Sequence, residues 1–164
     1  MVYLIVAMII IIMRHGQAAF CGADRELTAD GVDEVKKTAR NLCAHYSIKA
    51  ILCSPKTRAV QTANAVKEAL VRNNDAEIEI LSDLTPSGEP DICFDYVNAK
   101  FTENSNDAII LVSHIPLVQK MVEYACPKVE IPLFVTGSAF ILEEEHGRFT
   151  AKAFFTPSSE IFLN

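Results

Sequence analysis

Glycine and proline together supply only 13 of the 164 residues, and no internal repeat or low-complexity linker interrupts the chain. A chain of this length with no such break reads as one domain spanning 1–164, able to bury its own core. Paired cysteines are missing as well. Cys21, Cys43, Cys53, Cys93 and Cys126 are odd in number, widely spaced and without a CxxC pair. That suggests neither a zinc site nor a disulfide framework, and reduced thiols fit a cytoplasmic protein. Basic residues are in deficit, 15 against 21 acidic, for a net charge of −6. A broad nucleic-acid footprint is excluded, and an anionic ligand needs a local cluster of cations to hold it.

No apolar run is long enough to span a bilayer, the longest being Met1–Met13. As an export signal this run lacks a basic leading region. Its one cation, Arg14, stands at the wrong end, although Gln17-Ala18-Ala19 resembles a small-residue cleavage site. The expectation is therefore a protein with no membrane partner. Met8 offers a second start, which makes residues 1–7 an N-terminal extension.

What the chain does have is alternation of strands and helices. Val6–Met13 is a continuous isoleucine-rich run, as expected of a strand buried on both faces. "LTADGVDEVKKTARNLCAHY" turns helical, with Thr28 as N-cap and Val32, Val35, Ala39, Leu42, Cys43 and Tyr46 on one face. Ile48–Cys53 is a second strand and Thr57–Val71 a second helix, with Ala59, Val60, Ala63, Val66 and Leu70 inward. Ile78–Leu81 is a third strand, "DLTPSGEP" a turn, and Asp91–Phe101 a short helix. "DAIILVSH" is a fourth strand, followed by a helix over Ile115–Tyr124 with Pro116 in its first turn. "SAFILEEE" and "RFTAKAFF" alternate and read as a C-terminal pair at a sheet edge. The pattern implies an α/β protein with a mainly parallel central sheet, whose chemistry collects at the carboxyl ends of the strands.

Three of those ends carry chemistry. The first strand closes on Arg14-His15-Gly16, the second runs into "SPKTRAVQT" with Arg58 on the next helical turn, and the fourth closes on Ser113-His114. If these strands are neighbours, two arginines and two histidines face one crevice. Guanidinium groups fork onto phosphate oxygens and stay charged. A neutral imidazole among them can attack phosphorus and become phosphohistidine. Nearby cations keep the lone pair of His15 free, Gly16 lets the backbone turn sharply, and His114 stabilises charge on the transferred group. With arginines neutralising the phosphoryl oxygens, this chemistry requires no metal ion and no cofactor.

"MRHGQA", "SPKTRAVQTA" and "LVSHIPLV" together resemble the histidine phosphatase superfamily, which includes phosphoglycerate mutases and acid phosphatases. With "LTADG", "LSDLTPSGEP", "HIPLVQKMVEYACP" and "PLFVTGSAFILEEE", the chain is similar more narrowly to the SixA-type phosphohistidine phosphatases, from residue 9 to about 150. The resemblance implies a three-layer α/β/α sandwich, phosphoglycerate mutase-like, with no cap domain. It implies His15 as nucleophile, and Arg14, Arg58 and His114 as the phosphate pocket. Gln17 stands near the pocket rim. Mutase-like members add a carboxylic acid after the third strand. Here Pro86 falls near that place, with Asp83 and Glu89 as neighbours, of which Glu89 is the better candidate. The substrates implied are phosphohistidine-bearing proteins of signalling relays or phosphotransfer systems. Small phosphate esters are the alternative, and a non-enzymatic phosphoprotein-binding module is a third reading.

Each residue also has a plainer reading. Arg58 alone is an ordinary exposed helix residue, Ser113-His114 a helix cap with a core histidine, and Glu89 a surface carboxylate. His45, His146 and Glu143-Glu144-Glu145 read as solvated. "CSPKTR" approaches the loop of cysteine-dependent phosphatases, but it has one residue too few, no glycine, and Pro55 in place of an amide donor. Cys53 therefore reads as a buried structural thiol.

Overall fold

Four isoleucines in succession cannot share one face of a strand, so the first strand has to be covered on both sides. In the computed structural model, which describes residues 7–70, 75–101 and 107–163, that strand is β1 (Met8–Arg14). Residues 10–13 are wholly inaccessible to solvent. The start at Met1 or Met8, and an extension before it, concern residues that lie mostly outside the described ones.

The remaining elements follow in order: α1 (Ala29–His45), β2 (Ser47–Cys53), α2 (Thr57–Ala69), β3 (Glu77–Ile80), a 3-10 turn (Ser82–Leu84), α3 (Pro90–Lys100), β4 (Asp107–Ser113), α4 (Leu117–Ala125), β5 (Ala139–Glu145), β6 (Arg148–Thr156) and β7 (Ser159–Phe162). The seven strands form one sheet in the order β3-β2-β4-β1-β5-β6-β7, which puts β1 in the middle. β3, β2, β4 and β1 pair in parallel. β5, β6 and β7 continue the sheet antiparallel. The sheet is thus mixed, with its parallel part built from the four strands that alternate with helices.

Alternation along each strand sorts the side chains into two cores. Ile11, Met13, Ile51, Ile110 and Val112 point to one face, where Val35, Ala39 and Leu42 of α1 and Ala59, Ala63 and Val66 of α2 cover them. Ile10, Ile12, Leu52, Ile109 and Leu111 point to the other, beneath Phe94 and Val97 of α3 and Val118 and Met121 of α4. Each fully buried aliphatic side chain contributes about 1.5–3 kcal/mol. The result is the three-layer α/β/α sandwich.

Some expectations need correction. The C-terminal pair is not at an edge: β5 lies against β1 and β6 beside it, and the edge belongs to β7, too short and polar to stand out in the sequence. The fourth helix begins at Leu117 rather than Ile115, with Pro116 at the N-cap. A residue before proline is pushed away from helical angles, so Ile115 stays outside. Thr28 does cap α1, its hydroxyl accepting from the Gly31 amide at 2.9 Å. The second helix ends at Ala69, and Val71 falls outside the described residues.

Candidate active site

Parallel strands deliver their carboxyl ends to one edge of the sheet, and here three of those ends are adjacent. In the register, Arg14 stands beside Ser113 and Cys53 beside Val112. β4 therefore separates the strand ending in Arg14 from the strand leading to Arg58. The backbone of the first is clamped from both sides. The His15 amide donates to Ser113 O at 3.0 Å, the Gly137 amide donates to His15 O at 3.0 Å, and the Arg14 amide donates to Ser138 O at 2.9 Å.

His15 and His114 are both buried, and their ring centroids lie 5.1 Å apart. His15 Nδ1 lies 2.7 Å from Gly16 O. A carbonyl can only accept, so Nδ1 carries the hydrogen and Nε2 keeps the lone pair. Toward that nitrogen Arg58 Nε donates at 3.4 Å. Burial, more than the neighbouring charges of Arg58, Arg14 and Arg25, holds the His15 pKa down at about 4, while the bond to Gly16 O opposes the shift. The sequence had suggested charge alone. His114 is held lower still, at about 3, by burial first and then by His15, Arg58, Lys56 and Arg14. Both rings are neutral near pH 7.

Arg14 is fixed by a bond from Nη1 to Phe134 O at 2.8 Å. Its Nε and the Nδ1 of His114 are buried and have no hydrogen-bond partner among the described residues. Buried polar atoms rarely stay unpaired without a reason, and an oxyanion can satisfy such groups. The four groups therefore have the character of an anion site: two guanidinium groups, one lone-pair nitrogen and one further imidazole edge. The structure brings Arg14, His15, Arg58 and His114 together. Glu89 is exposed at the N-cap of α3, and its carboxylate makes no hydrogen bond or ion pair among the described residues.

Several residues in the site escaped the sequence reading. Ser54 is buried and lies 2.8 Å from His114 Nε2, while its own oxygen accepts from the Lys56 amide at 3.3 Å. With its hydroxyl hydrogen turned to His114 Nε2, Ser54 leaves the proton of that ring on Nδ1. Thr62 accepts from the Gly16 amide at 3.0 Å and donates to Arg58 O at 2.7 Å, linking the two halves of the site. Arg25 comes from the loop before α1, near enough to depress Arg14, His15 and Arg58 together. Asp24 pins that loop to the start of α2, accepting from the Thr57 amide at 3.2 Å and from the Thr57 hydroxyl. Those hydrogen bonds keep its carboxyl below the usual range.

One sequence reading changes in detail. A Cβ on Gly16 would lie 2.6 Å from Val35 Cγ2, and one on Gly31 would lie 2.2 Å from Gln17 O. These glycines let α1 pack on the loop, rather than freeing the backbone to turn. Gln17 braces the cap of α1, its backbone and side-chain oxygens both accepting from Thr28. Cys53 is buried within the core, and burial raises its thiol to about 11, as a structural cysteine requires. Among the described residues, no group of three or more histidine, cysteine, aspartate or glutamate side chains could hold a metal ion. No helix among them is long and apolar enough to cross a membrane.

An α/β/α sandwich with arginine and histidine at the end of its central strand, completed by a second arginine and a second histidine, defines a class. A model of the histidine phosphatase superfamily (branch 1) matches residues 10–85. The phosphohistidine phosphatase SixA of Escherichia coli (strain K12) is 35% identical over 146 residues, 86% of this chain and 89% of that protein. The chain belongs to the histidine phosphatase superfamily.

Within it, the similarity is to SixA proteins. The SixA homolog of Haemophilus influenzae is 32% identical over 122 residues, covering 69% of this chain and 74% of its own. A solved structure of the protein histidine phosphatase SixA complexed with tungstate superposes with a TM-score of 0.82 at 32% identity. It covers 91% of this chain and 97% of the other.

Proposed function

We propose that this protein is a metal-independent phosphohistidine phosphatase, with His15 as the nucleophile and phosphohistidine-bearing proteins as substrates. The observation that carries the reading is the state of His15: Nδ1 is occupied by Gly16 O, and Nε2 is unprotonated and faces Arg58. The SixA relatives and the tungstate complex of one of them, a tetrahedral oxyanion held by a similar chain, support it.

In this reading the phosphoryl group of the substrate sits among Arg14, Arg58 and His114. His15 Nε2 attacks phosphorus as the P–N bond to the substrate imidazole breaks, and that imidazole takes up a proton. Water then attacks the phosphohistidine at His15, releasing inorganic phosphate and restoring the neutral ring. Arg14 and Arg58 balance the phosphoryl charge throughout, and His114 donates from Nδ1 to an equatorial oxygen. Ser54 holds His114 in the tautomer that can do so.

Glu89 is the acid that the sequence offers for the leaving group. An imidazole leaving group needs little help of that kind, whereas an alcohol needs a great deal. The exposed, unanchored carboxylate of Glu89 thus favours phosphoramidate substrates over small phosphate esters. The test is rapid quenching into alkaline denaturant, in which a phosphohistidine survives, after mixing with a labelled histidine-phosphorylated protein. Label must appear on His15 and be absent in His15→Ala; turnover by His15→Ala at the wild-type rate would end the proposal.

A further inference from the structure

We propose that Asp24 is a positioning residue: it caps the N-terminus of α2 from a distant loop and so sets Arg58 against His15. The inference rests on the function proposed above and names what keeps one of its phosphate-binding arginines in place. A helix leaves its first amides without partners inside the helix, and the residue before it ordinarily supplies a side-chain oxygen to one of them. In α2 that residue is Lys56, whose side chain carries no oxygen and makes no capping bond. Asp24, 33 residues before Thr57, does so instead. Its Oδ1 accepts from the Thr57 amide at 3.2 Å, and its Oδ2 accepts from the Thr57 hydroxyl. Two bonds to one residue hold its backbone and its side chain together. Arg58 is the next residue along, with its Nε 3.4 Å from His15 Nε2 and its carbonyl accepting from Thr62 at 2.7 Å.

The loop that carries Asp24 is braced for this task. It follows the nucleophile directly and doubles back on itself. Ala18 and Leu27 form an antiparallel bridge, and the Ala19 amide donates to Glu26 O at 2.8 Å. It meets α2 a second time at Gln61, whose Oε1 accepts from the Leu27 amide at 2.7 Å. Thr57 and Gln61 are one turn apart and share a face of α2, so the loop grips the helix at two successive points. Arg58 and Thr62, also one turn apart, reach the segment of the nucleophile. The contribution of Asp24 is one of position, not of protonation. Burial first, then the charge of Arg25, lowers the Arg58 pKa, and Asp24 opposes them. A guanidinium keeps its proton near neutral pH in any case. What an uncapped first turn loses is aim, and a small misplacement of a group that binds the transferred phosphoryl is costly.

The test measures kcat/KM on a histidine-phosphorylated protein, and the affinity for inorganic phosphate by calorimetry, in the full chain. In Asp24→Ala, kcat/KM should fall about ten-fold and phosphate should bind about five-fold more weakly. Asp24→Asn keeps an oxygen that accepts from the Thr57 amide, and should stay within about three-fold of the unsubstituted protein in both quantities. When Arg58→Ala is already present, adding Asp24→Ala should lower kcat/KM by less than about two-fold further, because Asp24 acts through Arg58. The positioning role is overturned if Asp24→Ala and Asp24→Asn behave alike. It is equally overturned if Asp24→Ala costs as much beside Arg58→Ala as it does alone, the mark of general damage to the fold. Failure of the unsubstituted protein to hydrolyse the substrate sinks the phosphohistidine reading instead, and the phosphate affinities of the two Asp24 variants then decide the positioning role.

Discussion

The parallel half of the sheet and its antiparallel half share β1 but divide the work. The arginines and histidines of the site come from the carboxyl ends of β1 and β4 and from the first turn of α2, which follows β2. β5, β6 and β7 supply no reactive side chain, yet the segment entering β5 provides the carbonyls of Phe134 and Ser138 and the amide of Gly137 that fix Arg14 and His15. The difference teaches that strand direction decides which half bears chemistry. Parallel strands point their ends at one edge, while antiparallel neighbours alternate and can only brace it.

This division can be broken in graded steps. His15→Ala should remove turnover, a loss of at least about a thousand-fold, with the thermal melt retained. Arg58→Ala should lower kcat on the order of a hundred-fold, and Arg58→Lys should recover part of it, since a point charge replaces the fork. On the bracing side, Gly137→Ala is expected to act mainly on stability. Its φ of +74° forces an L side chain into the left-handed region, costing about 1–2 kcal/mol in denaturant unfolding. If Gly137→Ala costs as much activity per folded molecule as Arg58→Ala, the two halves are not divided as described.

Acid sharpens the same contrast. The pKa values of His15 and His114 are about 4 and about 3 in the folded chain, against about 6.5 when unfolded. Between those limits the unfolded chain binds more protons, so this stabilisation is complete above about pH 6.5 and is lost as pH falls toward 4 and then 3. The acid limb of kcat/KM should likewise fall near pH 4 rather than near 6.5. The smallest effect is expected at Glu89. Glu89→Gln should change hydrolysis of a phosphohistidine protein by no more than about two-fold, as for a surface substitution, and reduce phosphate-ester hydrolysis by more.

The sequence made the reactive groups legible because each closes or follows an apolar run: Arg14 and His15 after "IIIIM", His114 after "IILVS", Arg58 after "ILCSP". Periodicity marks where such runs end, and the sheet aligns the ends. Arg25, Ser54 and Thr62 had no such flag. Arg25 sits in an irregular loop, and the hydroxyls of Ser54 and Thr62 gain meaning only from partners 60 and 46 residues away. Long-range pairing of this kind is set by tertiary packing, which local pattern does not encode. The same limit explains β7, whose four exposed residues carry no burial signal of their own.

Thr62 spans two hydrogen bonds, receiving one from the Gly16 amide that follows His15 and giving the other to the backbone of Arg58. The imidazole and its guanidinium are thereby harnessed to a common pivot. Any displacement of helix α2 would therefore be shared by the backbone on both sides of the pivot, tying the span between His15 and Arg58 to a single hydroxyl.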